Sequence, residues 1–198
     1  MSAPSGPRRR VYLVRHGQEN TELRDGELQG PLTDLGCRQA LRTSGRLAGL
    51  PVVSIRSSDL LRAAQTAETI GRQFPAHPVQ ESALLRECVP SIPPGREQDP
   101  PFTNIDPSSI SRMRERIDQV YDGALSIPTH PSHEVIIAHG NLIRALIVQL
   151  LGAYEDSWID MECRNCSVTT VDVYGDGRRI LVGFNDVGHL EEELRTHV

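Results

Sequence analysis

Apolar runs rich in β-branched residues alternate along this chain with longer stretches in which apolar residues recur at helical spacing. The runs are bounded by turn formers and predict strands at Arg10–Arg15, Val52–Ser57, Glu134–His139, Val168–Tyr174 and Arg179–Asn185. The stretches predict helices from a cap at Thr33 to about Leu47, from a cap at Ser58 or Asp59, over about Ser108–Ile127, and from just after His139. The last two predicted strands follow each other directly and form a closing hairpin. This order of strands and helices predicts an α/β fold, a three-layer α/β/α sandwich around a mostly parallel sheet.

One segment, residues 88–107, interrupts this alternation. It has no periodic apolar pattern and is rich in proline, at Pro90, Pro93, Pro94, Pro100, Pro101 and Pro107. Long irregular segments inside compact domains are usually functional covers or disorder, and we expect a cover over the sheet edge. Residues 1–9 are predicted to be a disordered tail, and residues 10–198 a single domain.

Length and charge narrow the class of protein. A chain of 198 residues can bury a core without disulfide or metal staples, and its net charge of -5 offers no basic face for nucleic acid. No apolar run approaches the roughly 20 residues of a membrane span, and the first ten residues lack a secretory pattern. We therefore expect a cytoplasmic protein with neither nucleic-acid nor membrane partners.

The four cysteines are irregularly spaced, which suits a reducing compartment. Cys163 and Cys166 form a single CxxC, whereas a zinc site would need a second pair of ligands. We expect packing thiols, and neither a metal ion nor an organic cofactor.

Two histidines follow apolar strands, at the sheet edge where ligands bind in open α/β folds. Arg15 and His16 end the first strand, and His139 ends the third. A helix begins at Gly140, so free backbone N–H groups and the positive end of its dipole favour a bound anion there. Gly140 either contacts that anion or only permits the tight turn.

Two further charged residues belong to this edge. Arg62 lies in the first turn of the helix after the second strand, and Glu87 directly precedes the cover. Arginine forks bind phosphate oxygens, and a neutral imidazole is a nucleophile near pH 7, so the set fits phosphoryl transfer through histidine. Glu87 is the candidate acid for the leaving oxygen, its pKa raised by burial.

Five blocks in order resemble the histidine phosphatase superfamily, the phosphoglycerate mutase-like group: Leu13–Gln18, Leu32–Ala40, Ser57–Ala67, Leu85–Glu87 and Ala138–Arg144. The resemblance implies that His16 is the phosphorylated nucleophile and Glu87 the proton donor and later the base for water. It also implies that Arg15, Arg62 and His139 form the phosphate pocket. Gln18 either lines that pocket near the leaving group or holds the loop after Gly17.

Within the superfamily, Leu84–Pro94 and Asn185–Leu190 resemble a branch of serine/threonine protein phosphatases named after a mitochondrial phosphoglycerate mutase family member. Mutase relatives usually carry asparagine where this chain has Glu22. The segment from Glu87 to His139 is also shorter than the mutase insert that closes over substrate. A short cover keeps water from a phosphohistidine poorly, so hydrolysis is favoured over mutase activity.

The expected substrate is a phosphorylated protein, at phosphoserine or phosphothreonine, and the alternative is a small phosphomonoester such as a sugar phosphate. A mutase is less favoured, and so is a non-catalytic phosphate-binding module, because every catalytic role is filled. Arg112 and Arg116 share a helix face that either binds a second acidic group or, as we favour, is solvated. A homodimer is left open, and Trp158 is expected to pack in the core rather than in a dimer contact.

Overall fold

A computed structural model describes residues 3–23, 30–100 and 102–196. In these ranges one six-stranded sheet comprises β1 (Arg8–Arg15), β2 (Val52–Ser57), β3 (Gln80–Glu81), β4 (Ser132–Ala138), β5 (Val168–Tyr174) and β6 (Arg179–Asp186), in the spatial order β3-β2-β4-β1-β5-β6. The first four strands pair in parallel, whereas β5 and β6 are antiparallel additions. The predicted mostly parallel sheet is confirmed.

Four helices cover the two faces of the sheet: α1 (Asp34–Leu47), α2 (Leu61–Gly71), α3 (Pro107–Ala124) and α4 (Gly140–Leu151). Alternate residues of β1 separate the two sides, since Leu13 packs with α3 and α4 whereas Val14 packs with α1 and α2. β4 repeats the pattern with Ile136 and Ile137. Helices therefore form the outer layers of the predicted three-layer sandwich.

The sequence predicts side-chain caps for α1, at Thr33, and for α2, at Ser58 or Asp59. Thr33 accepts a hydrogen bond from the N–H of Gly36 at the start of α1, as its sequence position predicts. The cap predicted for α2 is wrong, because Leu60 occupies that position. Asp59 instead pairs with Arg86 at 2.7 Å, and Ser58 Oγ accepts from the N–H of Leu60.

The first strand begins at Arg8, earlier than the predicted start at Arg10. The disordered tail predicted over residues 1–9 therefore overlaps the first strand. Its arginines are paired: Arg10 lies 2.7 Å from Asp172, and Arg9 lies 3.0 Å from Glu134. Further back, the backbone N–H of Ser5 donates to Asp176. Met1 and Ser2 lie outside the described residues.

The proline-rich cover is held down by an apolar cluster. Phe102 and Trp158 are buried together with Val148 of α4, their rings edge to face at 6.3 Å. This places Trp158 in the core, as predicted, while Pro101 lies outside the described residues. None of the helices in the described ranges has both the length and the apolar character needed to span a membrane.

Candidate active site

The carboxyl ends of β1, β2 and β4 open into a cavity of about 790 Å³. Its inner wall consists of five predicted site residues, Arg15, His16, Arg62, Glu87 and Gly140. Its outer wall is formed by the cover and the 3₁₀ turn Glu155–Asp160, and includes Arg96, Phe102, Trp158, Asp160 and Glu162. The structure thus brings together most of the residues assigned from the sequence.

His16 is held as a neutral imidazole with its lone pair on Nε2. Its Nδ1 lies 2.7 Å from the carbonyl oxygen of Gly17, which can only accept, so Nδ1 carries the proton. Nε2 then accepts from Nε of Arg62 at 3.1 Å. Burial, and then the electrostatic effects of His139, Arg15 and Arg62, lower the pKa of His16 well below its ordinary value. The ring therefore stays neutral near pH 7, and a neutral imidazole with a free lone pair can act as a nucleophile.

Two glycines allow the loop after His16 to lie directly on the first turn of α1. A Cβ on Gly17 would lie 2.6 Å from the carbonyl oxygen of Gly36, and one on Gly36 would lie 2.2 Å from that of Gln18. Both clashes are with backbone, which cannot swing aside. Close packing of two backbones therefore fixes the height of His16 above the sheet edge.

Arginines flank His16 on two sides. Arg15 is buried and donates to the carbonyl of Cys163, but its Nε has no hydrogen-bond partner among the described residues. A Cβ on Gly140 would lie 3.4 Å from that Nε, so the guanidinium lies against the start of α4. Arg62 also reaches Glu19, at 3.4 Å. A buried, unpaired donor and a second guanidinium beside one imidazole form a local anion site in an acidic chain.

His139 lies directly behind His16 and does not line the cavity in the described residues. The two rings are 5.0 Å apart, and Nε2 of His139 lies 2.8 Å from Ser58 Oγ. Its Nδ1 is buried without a partner in the described part of the chain. Burial, followed by the charges of Arg62 and Arg15, lowers its pKa well below the ordinary value. His139 therefore supports the site as a neutral ring.

Glu87 occupies the N-terminus of α4. Its Oε1 accepts from the backbone N–H groups of Cys88, Asn141 and Leu142 at 3.1, 3.2 and 3.3 Å. The free N–H groups that the sequence assigned to a bound anion are thus partly used by this carboxyl. Burial raises the pKa of Glu87 although the hydrogen bond from Cys88 and the charge of Arg15 oppose the shift. With Oε1 accepting three bonds, a proton on the carboxyl belongs on Oε2.

Arg116 holds the turn that carries Glu87. Its guanidinium donates to the carbonyls of Leu84, Arg86 and Glu87, the last at 2.9 Å. The prediction of a solvated face is therefore wrong for Arg116, because its guanidinium is bound to three backbone acceptors, whereas Arg112 is exposed. Sequence spacing gave no sign of these acceptors.

Gln18 does not line the cavity, so its assignment to substrate binding does not fit the structure. Its Oε1 accepts from Thr33 Oγ1 at 2.9 Å, at the cap of α1. The physical reason is that the loop turns onto α1 immediately after Gly17. The alternative interpretation, in which Gln18 holds the loop after Gly17, agrees with this hydrogen bond.

The CxxC segment has a structural position that the sequence did not reveal. The N–H of Cys166 lies 3.1 and 3.2 Å from the carbonyls of Arg15 and His16, and Asn165 Nδ2 donates to His16 O at 3.1 Å. Both cysteines are buried free thiols. No group of three or more histidine, cysteine or carboxylate side chains in the described ranges is arranged to hold a metal.

Comparison with known proteins identifies relatives of this arrangement. The family model of the histidine phosphatase superfamily (branch 1) matches residues 11–186. The human protein named serine/threonine-protein phosphatase PGAM5, mitochondrial, is 30% identical over 198 residues, covering 95% of this chain and 66% of that protein. The chain spans about two thirds, 64 to 66%, of the length of this and similar curated relatives. The resemblance to this branch is confirmed.

Solved structures share the fold. A phosphoserine phosphatase from Entamoeba histolytica superimposes with a TM-score of 0.73 at 21% identity, covering 92% of this chain and 100% of the other. A mycobacterial glucosyl-3-phosphoglycerate phosphatase does so with a TM-score of 0.61 at 27% identity, covering 90% and 99%. The expected phosphoglycerate mutase-like architecture is confirmed.

The cytoplasmic location expected from the sequence is wrong on this comparison. The curated relatives from nematodes, rat and human are named mitochondrial. The expectation rested on the lack of a secretory or membrane-spanning pattern, and such a lack selects no compartment.

Proposed function

The chain belongs to the histidine phosphatase superfamily, branch 1, and on that premise we propose that it hydrolyses phosphomonoesters through a phosphohistidine on His16. One observation carries the proposal: the Nδ1–H of His16 is bound by Gly17, so Nε2 holds its lone pair at the inner wall. Groups that assist transfer surround it, with the guanidinium groups of Arg15 and Arg62 beside His16 and the carboxyl group of Glu87 in the same cavity.

In the first step, Nε2 of His16 attacks phosphorus while the bond from phosphorus to the ester oxygen breaks. Arg15 and Arg62 bind the phosphoryl oxygens, and Arg62 exchanges its bond to Nε2 for one to phosphate. Glu87 donates the proton from Oε2 to the leaving alkoxide, so that an alcohol departs. Imidazole becomes a phosphorylated ring whose remaining proton stays on Nδ1.

In the second step, water attacks phosphorus and the bond to Nε2 breaks. Glu87, now a carboxylate, takes a proton from that water, which restores the acid and the free imidazole. The raised pKa of Glu87 suits both roles, since the group must be protonated at the start and ionised in between. Each step thus returns every residue to the state the next step needs.

We propose phosphoserine and phosphothreonine in proteins as the substrates. The names of the curated relatives support this choice. The outer wall supports it as well, because it pairs the aromatic rings of Phe102 and Trp158 with charges of both signs from Arg96, Asp160 and Glu162. Such a surface suits a peptide segment, whereas a sugar phosphate needs several convergent polar groups for its hydroxyls. The same names support a mitochondrial location, which cell fractionation would test.

The test compares kcat/KM of the purified protein, in EDTA, for phosphothreonine and phosphoserine peptides against a panel of sugar phosphates and other small esters. We expect peptides to be preferred by about a hundredfold, roughly 2.7 kcal/mol of transition-state binding. A metabolite preferred by as much would replace the protein substrate with a small one. Loss of turnover in EDTA would contradict a metal-free reaction.

The nucleophile is tested with His16→Ala, matched by His130→Ala at an exposed histidine away from the cavity. We expect His16→Ala to lose about 10⁴-fold or more in kcat, and to lose the acid-labile phosphate that the wild type accumulates in rapid-quench experiments. Near-normal turnover in a folded His16→Ala protein would refute the proposed mechanism.

A further inference from the structure

The peptide group between Gly17 and Gln18 fixes which nitrogen of His16 carries the proton. Its carbonyl accepts from Nδ1, and its N–H donates to Oε1 of Gln39 at 2.8 Å. A rotation of this one peptide would remove the acceptor from Nδ1 and leave the ring free to change tautomer. Gln39 therefore holds the group that controls the nucleophile.

Gln39 joins this peptide to the C-terminal segment, residues 187–196. The side chain of Gln39 is completely buried, and its Nε2 donates to the carbonyl of Leu194 at 2.7 Å and to Thr196 Oγ1 at 2.8 Å. The orientation of the amide is forced, because the N–H of Gln18 can only donate and the carbonyl of Leu194 can only accept.

Asn165 makes a second connection between the same two regions. Its Nδ2 donates to the carbonyl of His16 at 3.1 Å, and its Oδ1 accepts from Thr196 Oγ1 at 3.0 Å. The hydroxyl of Thr196 thus accepts from one buried amide and donates to the other. One half-buried threonine closes a ring of hydrogen bonds around the backbone of His16, Gly17 and Gln18.

The C-terminal segment is docked by apolar contacts of its own. Leu190 and Leu194 are buried against Ala40 of α1 and Cys166. Docking of this segment places Thr196 within reach of both amides, so the hydrogen-bond ring forms only when the segment is in place.

We propose that Thr196 is a positioning residue for the nucleophile, acting through Gln39 and Asn165 to hold His16 with its proton on Nδ1 and its lone pair on Nε2. The inference rests on the proposed function in that Nε2 of His16 is the attacking atom. The hydrogen bonds of Thr196 go to Gln39 and Asn165, and Thr196 is not among the described residues that line the cavity, so it acts on the alignment of His16 through these two amides.

The test uses Thr196→Val, which keeps the shape of the side chain and removes both hydrogen bonds. Thr196→Ser is the conservative variant, and Thr129→Val is the matched control at an exposed loop position. With p-nitrophenyl phosphate as substrate, we expect Thr196→Val to lower kcat about tenfold, with KM within about twofold of wild type. Thr196→Ser should restore kcat, and Thr129→Val should leave it unchanged.

The ¹⁵N chemical shifts of the His16 ring provide the second measurement, which needs no turnover. We expect the Nδ1–H tautomer alone in the wild type and a mixture of tautomers in Thr196→Val. An Nε2–H tautomer in the wild type overturns the proposal, and so does wild-type kcat in Thr196→Val or a loss that serine does not restore. If Thr196→Val fails to fold, Thr196→Ala, which also removes both hydrogen bonds, replaces it with the same expected loss of kcat and mixture of tautomers. Failure of the proposed function shows separately, as normal turnover in His16→Ala.

Discussion

The two walls of the cavity are built on different principles. The inner wall comes from the end of β1 and the first turns of α2 and α4, and His16 and Arg62 are 3% and 4% exposed. In the outer wall, Arg96 and Asp160 are exposed, and they stand on the cover and a short 3₁₀ turn. Strand ends and helix starts fix atoms to a fraction of an ångström, which chemistry requires, whereas loops allow the selection of substrates to vary.

Among variants that keep the nucleophile, the largest expected effect comes from Glu87→Gln, which tests whether the inner wall carries the chemistry. Glutamine keeps a carbonyl oxygen to accept hydrogen bonds from Cys88, Asn141 and Leu142, but its amide has no acidic proton to transfer to a leaving oxygen. We expect kcat for an alkyl phosphate to fall by about 10²- to 10⁴-fold. Steady-state kinetics on the purified variant would measure the loss.

Two controls make the Glu87 result specific. Because burial raises the pKa of Glu87, its ionised form is less favoured in the fold than in the unfolded chain. The melting temperature of Glu87→Gln at neutral pH should therefore not fall. With p-nitrophenyl phosphate, whose leaving group needs little proton donation, the loss in kcat should shrink. An equal loss on both substrates would show that Glu87 is not the acid.

Strand ends are also where the sequence was most informative. Arg15, His16 and His139 do lie where β1 and β4 end and α4 begins, because an apolar run marks its own end. His139, which the resemblance assigned to the phosphate pocket, does not line the cavity in the described residues. Glu87 was predicted from the sequence block Leu85–Glu87 and from its position before the proline-rich cover. Such signals are local, so a single sequence displays them.

Several of the errors and omissions have a common physical cause in partners that are distant along the chain. Asn165 bonds to His16 across 149 positions, and no periodicity reports such a contact. Arg8 and Arg9 looked like a solvated tail because their partners, Asp172 and Glu134, come from β5 and β4. β3 has only two residues, Gln80 and Glu81, and too few side chains to show a pattern.

A second prediction concerns the pH dependence of stability, which His16 of the inner wall and His139 behind it should dominate. The pKa values of His16 and His139 are lowered well below 6.5, so the unfolded chain binds protons that the fold does not. Their contribution to stability is complete above about pH 6.5 and is lost as the pH falls toward the lowered values. We expect about 1 kcal/mol per histidine between pH 7 and 5.5, from urea unfolding.

Variants assign this pH dependence to the buried histidine pair. His139→Asn should flatten the slope, and His130→Ala, at an exposed histidine away from the cavity, is the matched control. His133 and His189 shift in the same direction through burial, so part of the slope should remain in His139→Asn. Stability that stays constant from pH 7 to 5.5 would contradict burial of the neutral rings.

The smallest effect is expected from the outer wall, with Arg96→Ala. Arg96 is exposed and pairs with Asp99 at 2.8 Å, an ion pair of a kind that contributes about 0 to 1 kcal/mol. Removing it should change KM for a phosphopeptide by no more than about threefold and leave kcat unaltered, because Arg96 lies on the wall that does not hold His16. Arg72→Ala removes a similar exposed pair, with Glu68 on α2, and provides the matched control. A loss of more than about tenfold in kcat for Arg96→Ala alone would mean that the cover reaches the reacting phosphate, and that the division between a chemical wall and a selective wall is wrong.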